Sequence, residues 1–330
     1  MKVIIPLAGY GKRLRPHTYS QPKPLVEVAG KAVLGHIIDE LAVLDVEEII
    51  FIVSHRGDQI ADYMRCHYPM YRTRYVYQDR MLGQSYGIYQ ARPYIDTGEI
   101  LIVFSDTVFK TDLASLSAVA ADGVLHFWEV ADPSRFGVGV LSEEGFVTRL
   151  VEKPPTPVSN LAVVGVYYFK NARQLFKALD KQMATGLQLN GEYYLADAIN
   201  MLLEGGALFK ARSLELWEDC GTIPALLEAN RNLLKRRGQP FEGSFDRPTG
   251  YTIVPPVYIA PDAIIERSVI GPYASIGAGV RISDAVISDT IIHEDSQIEA
   301  ALLTGSVIGR NATVTGKFQN LNIGDDCQLA

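Results

Sequence analysis

Between Ile259 and Val314 a large aliphatic residue returns every five to six positions: Ile259, Ile265, Ile270, Ile276, Ile282, Ile287, Ile292, Ile298, Leu303, Ile308 and Val314. An α-helix needs a period of 3.6 and a half-buried strand a period of two, and neither fits. A chain with this spacing has one apolar residue per short segment to bury. It must therefore stack, each segment running briefly as a strand, turning, and sharing a core with the coils above and below. Ala or Val sits four positions after several of these residues (Ala263, Val269, Ala274, Val280, Val286), and Gly271, Gly277 and Gly309 are placed to mark corners.

This spacing resembles the hexapeptide repeat of left-handed parallel β-helices, with several repeats one residue short and about four coils in all. Residues 1 to 235 are patterned differently. Strand-like runs at 3–7, 49–54, 74–77 and 100–105 alternate with helix-like segments at 33–44, 58–65 and 85–92. Such alternation predicts an α/β, doubly wound domain with a mostly parallel sheet, whose ligands lie at the carboxyl ends of the strands. Gly238–Gly250 mixes Gly, Pro and polar residues, which sets the expected domains at 1–238 and 251–330. The cluster Lys235-Arg236-Arg237-Gly238 reads as a helix C-terminus favoured by positive charge and closed by glycine.

The strand-like run KVIIPL breaks into Ala8-Gly9-Tyr10-Gly11-Lys12-Arg13-Leu14-Arg15-Pro16, and Pro22-Lys23-Pro24-Leu25 follows closely. A glycine-containing loop after a strand lets backbone N–H groups approach a phosphate, because no Cβ stands in the way. Arg13, Arg15 and Lys23 bring positive charge to that neighbourhood, in a chain whose formal charge is −7 and whose pI is near 5.5. The acidic background argues against broad binding to nucleic-acid polymers. The loop is neither the Walker pattern nor G-x-G-x-x-G, since Leu14 stands where the third glycine would be. No apolar stretch is long enough to cross a bilayer, and the chain starts in a strand without a signal-peptide core. Cys66, Cys220 and Cys327 are few and far apart, which predicts neither a disulfide framework nor a zinc site and points to the cytoplasm.

The loop resembles the signature of sugar-1-phosphate nucleotidyltransferases, [AG]-G-x-G-T-R-L-x-P followed by P-K-P/Q-L. The resemblance implies that Leu7, Ala8, Gly9 and Gly11 hold the nucleotide, that Arg13 is the principal catalytic cation and that Lys23 grips the α-phosphate and the incoming sugar phosphate. Ser105-Asp106 and Trp217-Glu218-Asp219-Cys220-Gly221-Thr222 resemble the family's G-D and W-x-D-x-G-T segments, whose aspartates hold Mg²⁺. Two carboxylates suit Mg²⁺, which takes its other ligands from phosphate and water. Gln78 and Gly83 match a Gln-x-x-x-x-Gly spacing seen in thymidylyl- and uridylyl-transferases, and a carboxamide can donate to and accept from the adjacent imide groups of a pyrimidine.

Arg135-Phe136-Gly137-Val138 resembles the family's R-Y/F-G-V and Val151-Glu152-Lys153-Pro154 its E-K-P. This implies that Gly137 and Glu152 bind sugar hydroxyls and that Lys153 positions the sugar phosphate. Gly191-Glu192 to Asp197 resembles G-E-x-x-x-x-D, with Glu192 a sugar contact or a first-turn helix carboxylate. Two positions of the loop depart from the family form, since Lys12 replaces its threonine and the bulky Tyr10 fills its variable position, and Leu82-Gly83-Gln84 replaces the family's L-G-T. The implied reaction joins a nucleoside triphosphate, dTTP or UTP favoured, to a sugar-1-phosphate, glucose-1-phosphate favoured, in a homo-oligomer without nucleic-acid or membrane partners. A bifunctional enzyme whose repeats also transfer an acyl group, and a catalytically silent paralogue, are the competing expectations. The repeats contain one histidine, His293, for the first of these.

Overall fold

The computed structural model describes residues 1–95, 97–186, 188–237, 250–316 and 321–329. The expected domain boundary falls on residues outside this set. By compactness the chain divides into Met1–Gly9 with His36–Trp217, and Tyr10–Gly35 with Glu218–Ala330. The basic loop thus leaves the strand that precedes it and clusters with the C-terminal half of the chain.

The first unit is built on a nine-stranded mixed sheet. Lys2–Pro6 runs parallel to Glu48–Val53 on one side and to Ile100–Val103 on the other, and Glu48–Val53 is parallel to Thr73–Tyr77. These are the four strands expected from sequence. The other half is turned by Leu161–Phe169, which pairs antiparallel with Ile100–Val103 and with Gly123–Glu129. Gly137–Leu141 and Val147–Glu152 form an antiparallel pair at that edge. Glu48–Val53 is buried along its whole length, as a strand covered on both faces should be. Helices α1 (Val33–Glu40), α2 (Gly57–His67) and α3 (Gln84–Tyr89) follow the three helical expectations. Helices α4 (Ala172–Thr185) and α5 (Leu195–Glu204) bury Leu175, Leu179, Leu195 and Ile199 in the core beneath the sheet.

In the second unit, three parallel sheets of two- and three-residue strands build the left-handed β-helix. The register Ile259, Ile276, Ile292, Ile308, Ile323 advances by 17, 16, 16 and 15 residues per coil, so the short repeats lie at the turns. Ile265, Ile270, Ile276, Ile282, Ile287, Ile292, Ile298, Leu303, Ile308 and Val314 are buried in one continuous core, with Ile259 packed against it. The accompanying small residues divide. Ala274 and Val280 are buried, whereas Val286 is 46 % exposed. Val286 neighbours Ile287 in a two-residue strand, and successive strand residues point to opposite faces. Ala285 takes the inward place instead.

Helix α6 (Ile223–Arg237) carries Lys235, Arg236 and Arg237 in its last turn, as expected, and its closing glycine lies outside the described residues. Among the described residues, no helix is long and apolar enough to cross a membrane.

Candidate functional site

In the first unit Leu7, Gln78 and Asp106 follow the carboxyl ends of parallel strands, whereas Gly137 and Glu152 stand in the antiparallel edge pair. Leu7 remains tied to the neighbouring strand, its N–H donating to Ile52 O at 2.7 Å. Leu7 and Ala8 are buried, while a Cβ on Gly9 would meet no protein atom within 4 Å. The backbone there is open to a ligand. Ser105 Oγ donates to Pro6 O at 2.9 Å, which places Asp106 beside the end of the first strand.

Gln78 follows Thr73–Tyr77; its N–H donates to Val53 O at 2.9 Å, and its Nε2 donates to Arg80 O at 2.7 Å. One of the two amide hydrogens is therefore used to orient the side chain. Gly83 has φ +95°, and a Cβ there would fall 2.7 Å from Tyr193 O and 3.0 Å from Glu192 Cβ. Tyr193 N–H donates to Leu82 O at 2.8 Å and Ser85 N–H to Tyr193 O at 3.1 Å. The segments around Gly83 and Glu192 are thus one stitched structure. Glu192 is not a first-turn helix carboxylate: α5 starts at Leu195 after Tyr194, and Asp197 is the acid of its first turn. Glu192 instead belongs to a tight turn, bridged to Leu189.

Gly137 stands opposite Glu152 in the edge pair, and a Cβ on it would lie 2.8 Å from Glu152 Oε2. Lys153 has a left-handed backbone, φ +42°, a conformation that costs a side-chain-bearing residue about 1 kcal/mol. Its N–H is held by Phe136 O at 3.0 Å. Its Nζ lies 3.5 Å from Glu152 Oε1, 3.4 Å from Tyr194 OH and 5.1 Å from the centre of the Tyr194 ring.

Burial raises the Glu152 carboxyl, Lys153 opposes the rise, and Asp197 and Glu192 add to it. Burial also raises Asp197. For Lys153, burial acts downward, but Glu152 and Tyr194 outweigh it and the ammonium is held above its ordinary value. The buried Tyr167 hydroxyl is pushed up by desolvation and then by the carboxylates of Glu152 and Asp106. Tyr194 and Tyr167 carried no sequence signal, because Tyr194 fills a variable position of the G-E-x-x-x-x-D segment and Tyr167 sits in no recognisable motif.

In the second unit the loop is three short 3₁₀ turns, Lys12–Leu14, His17–Tyr19 and Lys23–Leu25. Gly11 has φ +61°, and a Cβ there would come 2.9 Å from Thr18 Cγ2 and 3.1 Å from Lys23 Cβ. Thr18 Oγ1 donates to Gly11 O at 2.9 Å and closes the loop on itself. Arg13 is exposed, and its guanidinium lies beside Gly221, where a Cβ would be 3.3 Å from Nη2 and 2.7 Å from Asp219 Oδ1. Gly221 N–H donates to that same oxygen at 2.7 Å and orients the carboxylate. Tyr10 is 50 % exposed, with Lys12 Nζ 5.8 Å from its ring centre. Asp106 belongs to the first unit and Asp219 to the second. No group of three or more His, Cys, Asp or Glu residues is arranged to hold a metal among the described residues.

The nucleotidyl transferase family model matches residues 2–236. The chain is 30 % identical to a glucose-1-phosphate thymidylyltransferase of Streptomyces antibioticus, over 96 % of this chain and 94 % of that one. It is 34 % identical to a bifunctional protein GlmU of Methanocaldococcus jannaschii, over 74 % of this chain and 57 % of the relative. Its fold is similar to that of a UDP-glucose pyrophosphorylase solved with UDP-glucose, with a TM-score of 0.61 at 23 % identity, covering 72 % of this chain and 99 % of that one.

Proposed function

Since the chain belongs to the nucleotidyl transferase family, we propose that it transfers a nucleotidyl group to a sugar-1-phosphate and releases pyrophosphate, with dTTP or UTP and glucose-1-phosphate the favoured pair. The observation that carries the reading is the stitching of Gly83 to Tyr193 and Glu192, which brings a base-reading loop and a sugar-reading turn into one structure.

In the step itself a phosphate oxygen of the sugar-1-phosphate forms a bond to the α-phosphorus of the triphosphate. The bond from that phosphorus to pyrophosphate breaks. The nucleophile is already an anion, so positioning and charge stabilisation do most of the catalysis. Lys153, held protonated by Glu152 and Tyr194, orients the attacking phosphate. Gly137 leaves room for the Glu152 carboxylate, which receives sugar hydroxyls. Arg13 and Lys23 neutralise the triphosphate, and the open backbone at Gly9 admits it closely. Asp106 and Asp219 are the residues that would hold Mg²⁺, which when bound offsets charge on the phosphates. Gln78 reads the pyrimidine with the donor and acceptor capacity left after its bond to Arg80.

A bifunctional enzyme is the second reading, favoured by the GlmU relative. Against it, His293 is 2 % exposed, where an acyl-transfer base needs access to substrate.

Pyrophosphate release from a panel of nucleoside triphosphates and hexose-1-phosphates tests the proposal, with Asp106→Asn as control. Turnover with dTTP or UTP, lost in the control, is expected. Activity with purine triphosphates alone removes the role given to Gln78, and no turnover with any pair refutes the activity.

A further inference from the structure

The loop between Arg13 and Lys23 has almost no regular structure of its own, and short 3₁₀ turns do not hold a fixed geometry unaided. Its middle is instead pinned to the last coils of the β-helix. His17 is fully buried, and its Nε2 is 2.8 Å from Asn322 Oδ1. Asn322 Nδ2 also reaches back to Arg15 O at 3.4 Å. Ser20 Oγ donates to Asp325 Oδ2. Asp325 is itself anchored, since its Oδ1 accepts the Arg310 N–H at 2.8 Å, and the Arg310 guanidinium lies 3.6 Å from Oδ2 and 3.2 Å from Glu294.

Packing repeats the message. A Cβ on Gly324 would come 2.9 Å from Pro16 Cβ, so the coil lies directly against the loop. The His17 ring faces the buried His293 ring, with centres 5.8 Å apart. From there the contact runs inward: Thr18 bonds Gly11 O, and Gly11 abuts Lys23 Cβ.

We infer that Asn322 and Asp325 are positioning residues for the reaction, holding Pro16, His17 and Ser20 so that Arg13 and Lys23 meet the triphosphate in a fixed arrangement. The terminal coils are thereby a brace for the nucleotide loop, over and above their packing role. The inference rests on the function proposed above. It predicts a defect weighted toward the triphosphate, because the candidate sugar contacts Gly137, Glu152, Lys153 and Glu192 belong to the other unit and the braced loop reaches the sugar-1-phosphate through Lys23 alone.

The test is steady-state kinetics of full-length Asn322→Ala and Asp325→Ala, varying each substrate in turn, with circular dichroism and apparent Tm alongside. The expected result is a rise of about tenfold or more in KM for the nucleoside triphosphate, with a clearly smaller rise, at most about threefold, in KM for the sugar-1-phosphate. Ser20→Ala, which deletes a single hydroxyl, serves where either variant fails to fold and should show the same split more weakly. His17→Gln retains an N–H in place of Nε2 and should recover most of what His17→Ala loses. An unchanged KM for the triphosphate in folded Asn322→Ala and Asp325→Ala overturns the brace. Equal rises in both KM values, tracking a lower Tm, overturn it as well, since they mark general loosening. Wild-type protein with no turnover for any substrate pair removes the parent reading, an outcome separate from a wild-type enzyme whose variants behave normally.

Discussion

Two glycines in one loop should respond to the same methyl group in opposite ways. At Gly11 an alanine must adopt φ +61°, which costs about 1–2 kcal/mol for a side-chain-bearing residue. Its Cβ would also stand 2.9 Å from Thr18 Cγ2 and 3.1 Å from Lys23 Cβ, inside the ordinary carbon–carbon contact distance of about 3.5–4.0 Å. Relieving such an overlap costs about 1–3 kcal/mol. Together these give roughly 2–5 kcal/mol, or an apparent Tm lower by roughly 3–7 °C for a chain of this size. Some of the relief will come from moving Lys23, and a shift of about 1 Å in a positioning group can lower kcat/KM by about 100-fold. At Gly9 neither term applies, because φ is not in the left-handed region and no protein atom lies within 4 Å of the added carbon. Gly9→Ala should therefore keep its Tm, while KM for the triphosphate rises as the methyl meets the ligand. Differential scanning fluorimetry and pyrophosphate-release kinetics on the two variants separate the cases. Equal Tm and equal kcat/KM for Gly9→Ala and Gly11→Ala would refute the reasoning.

Gly83→Ala should lower apparent Tm and raise KM for both substrates, because its Cβ would displace the Tyr193 backbone that joins the two reading segments; unchanged kinetics would show the segments to be independent. Acid should destabilise the fold through its buried histidines: desolvation holds His293 down to about 3 and His126 down to about 4. Their folded values lie below the unfolded value near 6.5. Their contribution is complete above that pH and is lost below it, by about 1.4 kcal/mol per unit for each group, until each folded value is reached. Denaturant titrations at pH 7 and pH 5 read this loss, which His126→Phe should reduce by one group. Asn230→Ala should cost about 3 kcal/mol or more in urea unfolding, since it strands Ala29 N–H, Ser275 Oγ and Tyr273 O in the interior; a loss below 1 kcal/mol would mean that water replaces all three bonds.

The repeat was legible because a β-helix strand has room for one inward residue, so the spacing of Ile and Val is the fold. The outward Val286 was not, since an exposed valine and a buried one look alike in a sequence. The parallel half of the first sheet announced itself through strands followed by helices. Leu161–Phe169 did not, because it pairs on both edges, is buried over most of its length, and shows no alternation to read. Among the candidate site residues, Gly83, Gly137 and Glu192 stood in motifs, whereas Tyr194 entered through its hydroxyl contact with Lys153. Proximity of that kind depends on where helix α5 begins, and no spacing rule reports it.

The association of the basic loop with the repeats was the least legible feature, and the reason is physical. His17 and Asn322 are separated by 305 positions, as are Ser20 and Asp325. Neither pair has a local pattern that requires the other. What joins them is a set of partly buried polar bonds around the buried His17 ring, whose nitrogens need partners once water is excluded. Asn230 on α6 plays the same part nearby, its Oδ1 accepting from Ala29 N–H at 3.0 Å and Ser275 Oγ at 2.6 Å while its Nδ2 donates to Tyr273 O. Arg231, one residue on, holds Asp289 of the coils through both of its carboxylate oxygens. Polar bonds of this kind fix register more than they add stability, whereas apolar packing alone would tolerate sliding. A loop proposed to present Arg13 and Lys23 to a triphosphate would gain from that specificity. The residues that anchor it should therefore resist substitution by apolar groups of similar size, even where the overall stability of the variant is unchanged.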